Sequence, residues 1–173
     1  NWLFFFKAIK TTTVANATLS YYMAPIIAAL LSCLFLKEKL TREGVIALGI
    51  SFLGMGIIVF NGGSLELSSW HGIGYGLLAA LFYALFMVLN KLLAGLSVYA
   101  LTLIQTGISV LVLMPMVWDY QIPEGRPLLW LILLGTVHTG GSLILYLKGL
   151  SLSKVQDVGV LSYLDPVSAI ILA

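Results

Sequence analysis

Five stretches of the chain contain no Asp, Glu, Lys or Arg: residues 14–36, 44–60, 73–90, 99–118 and 128–147. A sixth, 155–173, is apolar apart from Asp157 and Asp165, and residues 1–6 form a short apolar lead-in. The runs are continuous, with no apolar–polar alternation. That pattern predicts helices buried in lipid and disfavours barrel strands. Crossing roughly 30 Å of hydrocarbon takes about 20 apolar residues, so each long run is a spanning helix and 1–6 is the tail of another. Short connections separate them, "KEKLTRE", "NGGSLELSSWHG", "LLAGLSV", "DYQIPEGRP" and "SLSK", leaving no room for a soluble domain.

Composition agrees. The chain is 60% hydrophobic and 9% charged, with a mean hydropathy of +1.05. A soluble domain is about a quarter charged, so this chain cannot cover a water-facing surface. The formal charge of +2 is too small to imply nucleic acid as a partner. A single cysteine, Cys33, excludes an intrachain disulfide and a cysteine-based metal site. The apolar starts and stops at both termini give the expectation of a fragment of a longer membrane protein, truncated at both ends.

Lys and Arg fall unevenly on the two sides of the spans. Lys37, Lys39, Arg42, Lys91, Lys148 and Lys154 share one side, and Lys7, Lys10 and Arg126 the other. The richer side is expected to be cytoplasmic, which places the protein as multi-pass in a plasma membrane of bacterial type. Trp70, Trp118, Tyr120 and Trp130 near span ends suit an interfacial aromatic belt.

One segment is written twice. "KAIKTTTVANATLSYYMAP" from Lys7 is echoed by "KGLSLSKVQDVGVLSYLDP" from Lys148, so that Val14 aligns with Val155, Tyr22 with Tyr163, Pro25 with Pro166 and Ala28 with Ala169. Four complete spans lie between the copies, so the second copy is the fifth crossing after the first and runs in the opposite direction. The expected fold is an all-α, multi-pass helical bundle of two inverted-topology repeats, a construction of secondary transporters that carry their sites near the midplane.

The stretch "NATLSYYMAPIIAALLSCLFLKEKLTREGVIALGISFLGMGIIVF" resembles the repeat unit of EamA-type transporters of the drug/metabolite transporter superfamily. It has the helix with a central proline, the short turn with a glutamate (Glu38) and the glycine-rich helix. "HGIGYGLLAALFYALFMVLNKLL" is similar to the opening helix of a second unit, and "YLDPVSAIILA" to its proline helix. The resemblance implies that residues 1–63 are the C-terminal part of the first repeat and 72–173 the N-terminal part of the second. It further implies a ten-helix protein, of which this chain holds the end of helix three through most of helix nine.

The candidate solute-binding residues are Asn16, Ser20, Tyr83, His138, Asp157 and Asp165. A carboxylate near a helix centre costs about 2.5–3.5 kcal/mol on insertion scales and so faces protein or water. Asp165 either contacts a cationic group or a proton in a cavity, or is neutral and caps backbone freed by Pro166. Asp157 either joins it or is favoured by the dipole at a helix start. Spacing of four places Asn16, Ser20 and Ala24 on one face of the first copy, and Asp157, Leu161 and Asp165 on that of the second. His138 suits a proton relay or a hydrogen bond within the bundle. Tyr83 and Asn90 share a helix face and offer donors. Pro25 and Pro166 are the candidate hinges, with static kinks as the plain alternative. Lys7 and Lys148, at the ends of apolar runs, either gate the pathway or snorkel to the interface. Gly72, Gly76, Ala80 and Ala84 form a small-residue stripe for close helix packing.

No nucleophile–base set, metal cluster or phosphate loop is present in the motifs, and no cofactor is expected. The best reading is a secondary transporter of a small organic solute, an amino acid, another metabolite or a drug-like compound. Protons are the candidate coupling ion, lipid the surrounding partner and a homodimer the candidate assembly. Its rivals are a membrane enzyme acting on a lipid-linked substrate and a non-transporting assembly subunit.

Overall fold

The structure, a computed structural model, describes residues 1–62, 70–118, 123–165 and 167–168, the side chains of 58–62 excepted. Its elements are α1 (Trp2–Thr11), α2 (Val14–Tyr21), α3 (Ala24–Phe35), α4 (Arg42–Gly62), α5 (Trp70–Leu92), α6 (Val98–Val117), α7 (Arg126–Leu133), a π-helical segment (Leu134–Gly141), α8 (Ser142–Leu152) and α9 (Val155–Ser162). Among the described residues all regular structure is helical. Four spans among the described residues are long and apolar enough to cross a bilayer: Val14–Phe35, Trp70–Leu92, Val98–Val117 and Arg126–Leu152. The chain is thus a multi-pass helical membrane protein. α4, with 21 residues, has a length of about 31 Å.

Two compact units are present. The first holds Asn1–Leu92 together with the stretch from Ser153 onward, and the second holds Leu93–Leu152. In the first, α5 packs on α1, α2 and α3, and α9 packs on α3 and α4. Its core is built from small side chains: Ala8, Ala17, Ala24, Ala28, Ala29, Ala79, Ala80 and Ala84 are all buried. Lipid tails are as apolar as leucine, so close backbone approach, rather than exclusion from water, holds such helices together. Many large apolar residues point outward, as Leu30, Leu34, Ile50 and Leu53 do, while Leu48, Met55, Met87 and Val88 are buried beside the alanines.

The stripe on α5 shows how close that approach is. Gly72, Gly76, Ala80 and Ala84 are all buried. A Cβ on Gly72 would overlap the side chain of Thr12, and one on Gly76 would overlap that of Ser20 and lie 3.2 Å from the Ala17 carbonyl oxygen.

α2 and α9 are the two copies of the repeated segment, and they are cut alike. α2 begins at Val14 and ends at Tyr21; α9 begins at Val155 and ends at Ser162, 141 residues later at both ends. After Tyr22 the chain restarts as α3, with Pro25 in its first turn. Proline lacks an N–H and its ring crowds the carbonyl four residues back, so the helix ends and begins again with proline where no donor is required. In the second copy helical backbone resumes at Leu164. Pro166 lies outside the described residues.

The two breaks meet. The ring of Tyr163 stacks on that of Tyr22 with centroids 5.8 Å apart, and its hydroxyl donates to the Tyr22 carbonyl at 2.8 Å. One turn earlier, Gly159 lies against Pro25, where a Cβ would come within 3.1 Å of the proline Cβ. The contact explains why the stretch from Ser153 joins the first unit and does not cluster with the residues just before it.

Two features depart from the pattern of apolar runs. The helix expected over 1–6 continues to Thr11, carrying Lys7 and Lys10 with it. Lys7 is accommodated because its Nζ sits 4.5 Å from the ring centroid of Tyr75. Within the second unit, the helix from Arg126 changes to π geometry at Leu134. The Thr139 hydroxyl there reaches the Leu134 carbonyl five residues back, at 3.0 Å. A side chain that bonds into the ladder, beside glycines at 135, 140 and 141, lets a helix take the wider turn.

Two substitutions test this packing in the full-length protein by thermal unfolding in detergent. Gly76→Val should cost about 1–3 kcal/mol by forcing α2 off α5. Gly74→Ala, whose Cβ meets nothing within 4 Å, should leave stability within about 0.5 kcal/mol. Equal effects would disprove the close approach. Tyr163→Phe keeps the ring stack and removes the bond to Tyr22. It should cost about 1 kcal/mol, the range of a hydrogen bond between helices in lipid. An unchanged melting temperature would show that the bond contributes nothing.

Candidate functional site

Where the two breaks meet, aromatic rings from three helices join into one ladder. Tyr83 of α5 lies 5.9 Å from Tyr21, Tyr21 5.9 Å from Tyr22, and Tyr22 5.8 Å from Tyr163. Phe5 of α1 packs on Tyr21 at 4.8 Å, and Phe86 stacks on Tyr83 at 6.1 Å. The side-chain amide of Asn1 donates to the Tyr21 hydroxyl at 3.1 Å. Tyr21 and Tyr22 are adjacent at the end of α2, and their rings meet edge-on.

Asp165 stands beside this ladder. It is two residues past Tyr163, exposed, and close enough for its charge to act on both Tyr21 and Tyr22. A carboxylate next to π faces is suited to a cation, because the ring quadrupole and the negative charge both attract positive groups.

The other sequence-predicted residues are dispersed. Asn16 and Ser20 are buried on the face of α2 that meets α5. The Asn16 amide donates to Thr12 Oγ1 at 3.0 Å, and the Ser20 hydroxyl donates to the carbonyls of Asn16 and Ala17. Asp157 is exposed in the first turn of α9, where a helix dipole favours an acid. Pro25 is buried against α9. Lys7 is exposed apart from its contact with Tyr75.

Two candidates belong to the second unit. His138 is exposed in the π segment and lines an apolar cleft of about 740 Å³ with Pro127, Trp130, Leu131, Leu133, Leu134 and Val137. That lining offers the imidazole no carboxylate. Lys148 is exposed on α8.

A second polar cluster, at one end of the first unit, was not apparent from motifs. The Val155 amide, at the start of α9, donates to Glu38 Oε2 at 3.1 Å. Gln156 is almost fully buried, its side-chain oxygen accepting from the Thr41 amide at 3.1 Å and its nitrogen donating to Thr41 Oγ1 at 3.0 Å. Lys91 Nζ donates to the Ser153 carbonyl at 2.6 Å. Glutamine 156 carries no charge and stands beside a more conspicuous aspartate, so spacing alone could not single it out.

Comparison with known proteins follows this geometry. Residues 1–60 and 70–173 match the EamA-like transporter family. A Bacillus subtilis protein named "uncharacterized transporter YxxF" is 34% identical over 99% of the chain and 57% of its own length. A second from that organism, "uncharacterized transporter YojE", is 30% identical over 96% of the chain and 55% of its own length. An "uncharacterized transporter" of Archaeoglobus fulgidus is 30% identical over 95% and 59%. The chain therefore spans a little over half the length of these relatives. No solved structure matches it. With its membrane-spanning helices and a match that takes in nearly every residue, the chain belongs to the EamA-like transporter family.

Proposed function

We propose that the protein is a secondary transporter that moves a small organic solute bearing a cationic nitrogen, by alternating access between two inverted repeats. The observation that carries this reading is the meeting of the twin broken helices at Tyr22 and Tyr163, with Asp165 beside the tyrosine ladder. Paired helix breaks in corresponding segments of two halves mark the binding region of many transporters, since freed backbone is tolerated only where protein or a cavity satisfies it. Asp165 supplies the charge, Tyr21, Tyr22 and Tyr83 the aromatic walls, and Pro25 the hinge. A solute gradient or protons drive the movement, and the membrane is the cell membrane.

The full-length protein in proteoliposomes tests this with a panel of ammonium-bearing, neutral and anionic solutes, with and without a proton gradient. Uptake should be confined to the ammonium-bearing members. Asp165→Asn should lower that flux at least about 100-fold, by removing the carboxylate of the site, while leaving the melting temperature within a few degrees. Wild-type flux in Asp165→Asn would remove the residue from the site, and transport of anions alone would overturn the substrate class.

A further inference from the structure

The polar cluster at the start of α9 lies at the Lys- and Arg-rich end of the spans and joins two segments more than a hundred residues apart. Glu38 and Thr41 belong to the link between α3 and α4; Val155 and Gln156 open α9. We propose that this contact is the gate at the basic end of the transport pathway, shut in this structure, and that undocking the link from α9 opens it. The proposal rests on the transport reading above.

The twin helices show why the contact exists on α9. The first N–H groups of a helix need acceptors. On α2 the need is met locally, because Thr13 stands at the N-cap and accepts from the Asn16 amide at 3.2 Å. The equivalent residue on α9 is Lys154, whose side chain has no acceptor. Glu38 supplies one from the α3–α4 link, as a carboxylate placed at the positive end of the helix dipole. The first copy is capped by its own residue, whereas the second is capped by the other repeat. Docking of the link is therefore built into the stability of α9's first turn.

The link is shaped for that task. Lys37, just past the end of α3, has φ 56, a left-handed turn rare outside glycine. Thr41 Oγ1 accepts from the Gly44 amide at 3.2 Å and so caps α4, while it also accepts from Gln156. The starts of α4 and α9 thus share one threonine. A Cβ at Gly44 would overlap the Gln156 amide, so glycine there leaves the space that the glutamine fills. From α5, Lys91 holds the turn before α9 through the Ser153 carbonyl. Every bond in the set is polar and lies at a membrane end, where water can replace it when the link withdraws. A set of this kind separates more readily than close-packed apolar helices.

The test uses the full-length protein in proteoliposomes, with Cys33→Ser and a reporter thiol at Ser32→Cys. Ser32 is fully buried in the last turns of α3, next to the link. A charged, membrane-impermeant methanethiosulfonate is applied from the basic side. Glu38→Gln, which keeps shape and loses charge, should raise the labelling rate about tenfold, the shift expected from one charge-assisted hydrogen bond. Gln156→Ala should act in the same direction. In a second arm, Thr41→Cys with Gln156→Cys is joined by a short bis-methanethiosulfonate, which forms a disulfide with each thiol and releases two methanesulfinates; flux should stop, return when the disulfides are reduced, and leave solute binding from the opposite side intact. Unchanged labelling in both single variants, or full flux in the linked protein, overturns the gate. If the wild type moves no solute, the transport reading fails, and the labelling arm still decides whether the contact opens.

Discussion

The bond from the Tyr163 hydroxyl to the Tyr22 carbonyl is the constraint around which the first unit is organised. A proline in the middle of a spanning segment stops the helix and leaves backbone oxygens without their usual donors. In lipid each such group costs several kcal/mol unless protein satisfies it. Here the donor comes from the equivalent tyrosine of the repeated segment, so the second copy must come close to the break in the first. Once it does, Gly159 fits against Pro25, Tyr163 stacks on Tyr22, and α9 is drawn in among α3 and α4.

That arrangement sets what else can be built. Pulling α9 onto the break brings Asp165 to a place where Tyr21, Tyr22 and Tyr83 already gather. The backbone defect, the tyrosine rings and the carboxylate thus lie together. Small residues on α5 complete the design. They let α2 and α3 press against it, which holds the broken segment rigidly on one side while α9 covers the other.

Much of this was legible in the sequence, for physical reasons. Charge-free runs locate spans because lipid tolerates few charges, and the four-residue spacing of Gly72, Gly76, Ala80 and Ala84 marks a packing face because only small residues allow that approach. The echo at 141 residues foretold two helices of equal length broken at equal points. Less legible was how the copies touch. Repeat matching aligns Tyr22 with Tyr163 but does not say that the pair will bond. The extension of α1 past Lys7 was hidden because a lysine in a sequence looks like a boundary, and its ring partner, Tyr75, is remote in the chain. The π segment depends on a hydroxyl reaching five residues back, which no periodicity reveals. The pairing of Glu38 and Gln156 with their partners was hardest of all, since a cap supplied from a distant loop is a property of two remote positions together.

The differences between the copies are more informative than the likeness. A perfect inverted repeat would offer the same site and the same closure from both sides, and would have no reason to prefer one. Two of the positions at which the copies differ bear on the contacts around the break and the helix start. Ala24 stands where its twin has Asp165, which places a charge on one side of the shared break. Thr13 stands where its twin has Lys154, which makes one helix start self-sufficient and leaves the other dependent on Glu38. Shared features, the break and the tyrosine beside it, build the frame. The substituted positions distinguish the two copies: a carboxylate stands beside the break in one, and the helix start of that copy borrows its cap from a distant link.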